Sequence, residues 1–214
     1  MGGIVVVDYG MGNLRSVSKA LELLGAAVRV SGDPKDVETA KKLILPGVGA
    51  FPAAMRELSA RRLIEPIKAA IAAGKPYLGI CLGLQLLFDG SEEGEGADGF
   101  GILPGPVKRF SFGGAPPSLK VPHMGWNQVT RTHDARRTTE DDCPLLRGIP
   151  DGSFLYFVHS YYPAPADQSV VALETEYGNR FASMVWRENL YATQFHPEKS
   201  QTVGLQLLKN FLDL

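Results

Sequence analysis

The sequence has little cysteine, no excess of either charge and no long apolar run. Only Cys81 and Cys143 occur in 214 residues. Two scattered cysteines make no disulfide framework. They fit a reducing compartment, so the chain reads as cytoplasmic. Lys and Arg number 22 against 23 Asp and Glu, a net charge of −1. That balance argues against nucleic acid or an anionic membrane as the main partner. No stretch approaches the roughly 20 apolar residues of a membrane span. The start, Met1 to Asp8, lacks a basic n-region and reads as no signal peptide. Val6 stands where a myristoylation motif needs Ser or Thr. His123, His133 and His159 have no companion ligands at metal spacing, so no metal and no cofactor is expected. There is no internal repeat and no low-complexity tract.

What is present is globular. The hydrophobic fraction is 44% and the charged fraction 21%. A chain of this length suits one domain over residues 1–214, with a full core and no need of disulfides.

The first ninety residues alternate strand and helix. Ile4 to Tyr9 reads as a strand covered on both faces. Leu14, Val17, Leu21 and Leu24 follow at helical spacing, and Gly25 closes that helix. Val28 to Val30 and Leu43 to Leu45 read as the next strands. Pro52 to Ala73 reads as a long helical stretch that Pro66 kinks or divides. Tyr77 to Cys81 is a fourth strand, running directly into a helix over Leu82 to Leu87. Ser91 to Pro117 is rich in Gly and Pro and reads as loops with short strands, such as Val107 to Phe110. Phe154 to Tyr162, Val170 to Tyr177, Ala182 to Trp186 and Tyr191 to Phe195 read as antiparallel strands. A last helix covers Thr202 to Leu212, and Arg131 to Asp142 reads as a solvated loop. The expected fold is α/β: an open, mostly parallel sheet flanked by helices, with an antiparallel extension in the C-terminal half.

Two motifs carry chemistry. In Gly79-Ile80-Cys81-Leu82-Gly83-Leu84-Gln85 a cysteine ends a strand and opens a helix. Ligands of open α/β sheets bind beyond such carboxyl ends. A helix start favours the thiolate. Gly79 and Gly83 leave room for a sharp elbow, the cysteine counterpart of G-x-S-x-G, and the Leu82 N–H would face a developing oxyanion. The competing reading is a small buried apolar cysteine. In Gln194-Phe195-His196-Pro197-Glu198 a base and a carboxylate stand two apart in an extended stretch, projecting to one side. Pro197 biases His196 toward extended geometry. The competing reading is an ordinary surface pair. Pro46-Gly47-Val48-Gly49, after the third strand, can offer a second N–H from Val48 or Gly49, or be a plain turn. Cys143, beside Asp141 and Asp142, is a poor thiolate and reads as structural or incidental. Gly10-Met11-Gly12-Asn13 lacks the full phosphate-loop fingerprint.

Gly-x-Cys-x-Gly-x-Gln with a distant His-Pro-Glu resembles the class I (triad) glutamine amidotransferases. Asp8 to Leu14, Lys120 to Asn127, Phe157 to Tyr162 and Gln194 to Ser200 are similar, more narrowly, to the glutaminase subunits of imidazole glycerol phosphate synthases. The resemblance covers essentially the whole chain and implies Cys81 as nucleophile, His196 as base and Glu198 as its orienter. It implies Val48 and Leu82 as the oxyanion hole, and Gly49, Gln85, Ser160 and Tyr161 as glutamine-binding residues. It further implies a barrel-fold cyclase subunit as heterodimer partner, met near Asn13, His123, Trp126, Tyr156 and Lys199. Ammonia passed to that subunit would yield imidazole glycerol phosphate and an aminoimidazole carboxamide ribotide (AICAR) in histidine biosynthesis. Three alternatives stay open: a glutaminase serving another synthase, a non-catalytic binding protein, and a cysteine peptidase on a related scaffold.

Overall fold

The computed structural model describes residues 3–94, 96–112, 119–132 and 143–214. The chain starts with β1 (Ile4–Val7), α1 (Leu14–Leu23), β2 (Val28–Ser31), α2 (Pro34–Thr39), β3 (Lys42–Gly47), α3 (Phe51–Ala60) and α4 (Ile64–Ala72). β4 (Tyr77–Cys81) and the short α5 (Leu82–Gln85) follow without a linker. Short strands come next: β5 (Gly90–Ser91), β6 (Ala97–Asp98), β7 (Pro106–Arg109), β8 (His123–Gln128) and β9 (Thr130–Arg131). The remainder is β10 (Phe154–His159), β11 (Tyr161–Pro163), β12 (Val171–Glu176), β13 (Arg180–Arg187), β14 (Leu190–Thr193) and α6 (Gln201–Leu212).

An eight-stranded sheet runs in the order β2-β1-β3-β4-β14-β13-β12-β9. Its first five strands are parallel neighbours, and the rest are antiparallel. The expected extension is therefore continuous with the main sheet, and β14 joins the two parts by pairing parallel to β4. The parallel strands are covered on both faces, which explains their unbroken apolar runs. Val5, Val7, Leu43, Leu45 and Tyr77 point to one side, where Val37, Leu58 and Ile67 from α2, α3 and α4 meet them. Val6, Ile44, Leu78 and Ile80 point to the other, against Val17 and Leu21 of α1 and Leu207 and Phe211 of α6. Two smaller sheets stand beside this frame: a ribbon of β10 and β8, and a group in the order β11-β7-β5-β6.

Several expectations are corrected. The long helix divides at 61–63, where Arg62 takes φ +57, and not at Pro66. Pro66 lies in the first turn of α4, where its missing N–H has no helical partner to lose. The helix after Cys81 ends at Gln85 rather than Leu87. Phe154 to Tyr162 is two strands in different sheets, broken at Ser160. α2 has a sequence signal that the pattern above passes over: Asp33 accepts from the Lys35 N–H, and Pro34 fills the first helical position. β8 also lies where no strand was expected. Arg131 does not lie in a solvated loop but in β9, with its guanidinium donating to the carbonyls of Leu146 (2.8 Å) and Ile149 (3.0 Å). Residues 133–142, and 113–118 of the Gly/Pro-rich stretch, lie outside the described residues.

Candidate active site

The parallel register decides which side chains meet. Thr193 of β14 pairs with Ile80 of β4, and Gly47 of β3 pairs with Cys81. The carboxyl ends of three adjacent strands thus deliver the 47–49 loop, Cys81 and the segment from Gln194 to Glu198 to one edge of the sheet. Cys81 sits at φ +55, ψ −105. A residue with a Cβ is strained there, and only a surrounding structure that over-determines the turn keeps it so. The surroundings do this by close approach. A Cβ on Gly79 would lie 2.5 Å from the Gly83 carbonyl oxygen, and one on Gly83 would lie 1.9 Å from the Leu45 carbonyl oxygen. The elbow therefore presses directly on the neighbouring backbone.

Behind Cys81, the side chains of His196 and Glu198 are almost wholly buried, and Nδ1 of His196 lies 2.8 Å from Glu198 Oε1. The geometry differs from an extended pair. His196 is extended (φ −100, ψ 97), but Pro197–Lys199 forms a 3-10 turn that brings the carboxylate round to the ring. The backbone of His196 is clamped as well. Its N–H donates to the Tyr156 carbonyl at 2.9 Å, and its carbonyl accepts from Ser200 Oγ at 2.7 Å. With Nδ1 engaged by the carboxylate, Nε2 is the nitrogen free to handle a proton. On that side its neighbour is the Cys81 sulfur. Burial lowers the basicity of His196. The charge of the nearby Cys81 sulfur outweighs this, with support from hydrogen bonding and from Glu198, and the ring's pKa rises to about 10. The arrangement thus favours an imidazolium beside the Cys81 sulfur. Tyr9 lies beneath the elbow with its hydroxyl buried and unpartnered; burial first, then Cys81, hold its proton on.

Cys81 opens into a cavity of about 370 Å³, a size that suits one small polar metabolite. Its wall includes every residue expected to stabilise an oxyanion or bind glutamine: Val48, Gly49, Leu82, Gln85, Ser160 and Tyr161. Gln85 differs in one respect from an amide serving as both donor and acceptor. Its Nε2 already donates to the Tyr161 carbonyl (2.9 Å) and to Gln194 Oε1 (3.1 Å), leaving only Oε1 for a ligand. The Tyr161 carbonyl also accepts from His159 Nδ1 at 2.9 Å and has no lone pair left. Glu93, Pro122, Val158 and His159 complete the wall and carried no role in the sequence. Glu93 fixes the start of α3, its Oε2 accepting from the Phe51 N–H at 2.7 Å. A carboxylate so placed beside a cavity suits a cationic ligand group.

Of the residues expected at a partner interface, three cluster. The Trp126 and Tyr156 rings meet edge to face at 6.1 Å, and Lys199 Nζ lies 5.7 Å from the Tyr156 ring. The β8–β10 ribbon explains their exposure. Met124, Trp126, Phe154 and Tyr156 alternate outward, while Leu155, Phe157 and His159 point to the core. Asn13 stands before α1 with no capping bond from its side chain. His123 departs from the expectation. It is 3% exposed, stacked on Tyr177 at 4.0 Å, and reaches no surface by its own ring. It belongs instead to a directed chain. Asn127 Nδ2 lies 3.2 Å from His123 Nε2, and His123 Nδ1 lies 2.9 Å from His159 Nε2. The amide fixes the direction: each ring accepts on Nε2 and donates from Nδ1, ending at the Tyr161 carbonyl.

Both rings must therefore be neutral. Burial lowers the pKa of His123 to about 4 and that of His159 to about 3. Unfolded histidines take up protons near pH 6.5, so below that the unfolded state binds more protons than the native one. The stabilisation is complete above about pH 6.5 and is lost as pH falls toward 4. Thermal midpoints measured across that window are expected to fall steeply, and less steeply in His159→Gln. A flat profile in the unaltered protein would show that these rings do not sit neutral in the core.

Among the described residues no group of three His, Cys, Asp or Glu could hold a metal ion. No described helix is long and apolar enough to cross a membrane. Cys143 is buried in the core on the α6 side of the sheet.

Comparison with known proteins places the chain in a family. A profile of the class-I glutamine amidotransferase family matches residues 5–214, and the chain belongs to that family. Its relatives narrow the placement. Over 213 residues it is 53% identical to the imidazole glycerol phosphate synthase subunit HisH of Syntrophotalea carbinolica, covering 99% of this chain and 100% of that protein. The subunit of the same name from Moorella thermoacetica is 50% identical over 214 residues, covering 100% and 96%. The chain thus falls in the HisH branch of the family. Solved structures share the fold at low identity. A putative GMP synthase subunit from Thermoplasma acidophilum superposes with TM-score 0.69 at 20% identity, over 100% of this chain and 93% of the other. PurLQS from Thermotoga maritima gives TM-score 0.72 at 19% identity, over 99% and 98%.

Proposed function

We propose that this chain is the glutaminase subunit of imidazole glycerol phosphate synthase, working in the cytoplasm as one domain over residues 1–214. The observation that carries the catalytic assignment is Cys81 on a strained elbow at the cavity floor, with the hydrogen-bonded His196–Glu198 pair buried behind it.

The geometry suggests the following sequence. The Cys81 thiolate attacks the side-chain amide carbon of glutamine, and the carbonyl π electrons move to oxygen. The Leu82 N–H and one from the Val48–Gly49 loop receive that oxyanion. As the tetrahedral carbon collapses, the C–N bond breaks and the His196 imidazolium protonates the departing nitrogen, which leaves as ammonia. A water then attacks the γ-glutamyl thioester while neutral His196 takes its proton. Collapse breaks the C–S bond and releases glutamate. Glu198 fixes the ring throughout. Gln85 Oε1 and the Glu93 carboxylate fit the α-ammonium of the substrate. A cavity of about 370 Å³ favours a single amino acid over a peptide.

Partnership with a barrel-fold cyclase rests on relatedness and on the exposed ribbon. Met124, Trp126 and Phe154 are 62%, 46% and 53% exposed on one face, beside Tyr156 and Lys199. Exposed Trp, Tyr, Phe and Met side chains gathered on one surface are common interface anchors. The test is glutamate release from glutamine, measured alone and with a cyclase subunit and its nucleotide ligand. Release that requires Cys81 and rises sharply with the cyclase is the expected result. Release that ignores the cyclase would mean a different partner, and no release at all would sink the glutaminase assignment.

A further inference from the structure

Gln194 is a fully buried amide at the end of β14, 0% exposed. Its place follows from register. Thr193 pairs with Ile80, so Gln194 comes level with Cys81 on the adjacent strand. Its N–H donates to the Ser183 carbonyl at 2.8 Å, which fixes the backbone, and its side-chain Nε2 lies 3.6 Å from Cys81 Sγ.

The amide could in principle present either end to the sulfur, but the network selects one. The Tyr161 carbonyl is only an acceptor, so Gln85 must turn Nε2 toward it. The second Nε2 hydrogen of Gln85 then points at Gln194, which must answer with Oε1, at 3.1 Å. That leaves Nε2 of Gln194 facing the sulfur. Backing by Gln85 and Tyr161 keeps it there.

We propose that Gln194 is a fixed hydrogen-bond donor to the Cys81 sulfur, holding the nucleophile as an aimed thiolate while His196 carries the proton. The assignment rests on Cys81 being the nucleophile. The geometry divides the work between two groups. His196 stands beside the sulfur with Nδ1 held by Glu198, so its Nε2 is the nitrogen that moves the proton. Gln194 carries no charge, so its bond to the sulfur survives whichever way that proton goes. The opposite contact of the thiol is weaker, the Val158 carbonyl at 3.9 Å. The other titratable groups around the sulfur are Glu198 behind His196, Tyr9 beneath the elbow, and His159, Tyr161 and Glu93 around the cavity.

Gln194→Met keeps the length and removes the donor. Gln194→Leu removes donor and acceptor together. The readout is the pH dependence of Cys81 alkylation by iodoacetamide, followed on the Cys81 peptide by mass spectrometry so that Cys143 does not contribute. In either variant the midpoint is expected to rise by about one pH unit, slowing alkylation about tenfold at pH values below the midpoint of the unaltered protein. Loss of kcat should exceed any change in KM, because the thiolate is needed for chemistry more than for binding. A folded variant with an unchanged midpoint would overturn the proposal, even if its activity were low. The unaltered protein gives a check that needs no folded variant. The Gln194 side-chain amide signals, followed by NMR, should titrate with the Cys81 midpoint and stop doing so after iodoacetamide. Amide signals that ignore that titration also overturn it. The underlying reading fails separately, if Cys81→Ser retains glutaminase activity.

Discussion

Replacing Cys81 by alanine is expected to lower glutamine-dependent synthesis by about four orders of magnitude or more, while synthesis from added ammonium is unchanged. The separation follows from the position of the sulfur. Cys81 is 6% exposed, and the contacts of its sulfur are Gln194, Val158 and the His196 beside it. Only Val158 belongs to the β8–β10 ribbon, and it meets the sulfur with its backbone carbonyl, not with its side chain. Removing one sulfur atom therefore takes away the nucleophile and leaves the docking surface in place. The measurement compares glutamine with ammonium salts as nitrogen source for the complex, with glutamate release followed in parallel. Equal loss with both sources would mean that the substitution damages the complex rather than the chemistry. Appreciable glutamate release by the variant would remove Cys81 from the mechanism. The effect should be large because members of a nucleophile–base unit fail together. His196 without a sulfur has nothing to activate, and Glu198 then orients an idle ring.

The parallel half of the fold was legible because its signals are local. Each strand from β1 to β4 is a short apolar run, and Gly25 marks a helix end without ambiguity. The candidate catalytic residues could be picked out because Cys81 and His196-Pro197-Glu198 are short motifs whose residue types suggest a chemistry, and the structure brings them together. What stayed hidden depends on pairing. Nothing local says that β14 lies parallel to β4 inside the main sheet, yet that register brings His196 and Gln194 to Cys81. Gln194 could be read only as a polar residue ending a strand until its neighbour was known. The resemblance put His123 near a partner interface, whereas the β8–β10 alternation turns it inward to bond His159. Pro66 misled for the complementary reason. A proline strongly suggests a break, but in the first turn of a helix it costs nothing, and the break lies upstream at Arg62.

Gly83→Ala is expected to be the most damaging single-methyl change in the site, although Gly83 does no chemistry. A Cβ there would lie 1.9 Å from the Leu45 carbonyl oxygen and 3.1 Å from its carbon. Those atoms belong to β3, which is paired on both sides and buried, so they cannot swing aside as a side chain would. Relief requires α5 to move away from β3, and α5 begins at the residue after Cys81. These close contacts help hold the strained turn, so a shift of α5 would let Cys81 relax and carry its sulfur and the Leu82 N–H out of line. A loss of about 3 kcal/mol or more in stability is expected, in the range of severe overpacking. Glutaminase activity should fall steeply in whatever protein remains folded, since small misplacements at a reacting centre are costly. Gly3→Ala is a fair control, because a Cβ there meets nothing closer than 3.9 Å. Thermal unfolding of the two variants, with glutamate release on the folded fraction, makes the comparison. If Gly83→Ala matched Gly3→Ala in both measurements, the elbow would not be held by backbone contact with β3, and the strain at Cys81 would need another source.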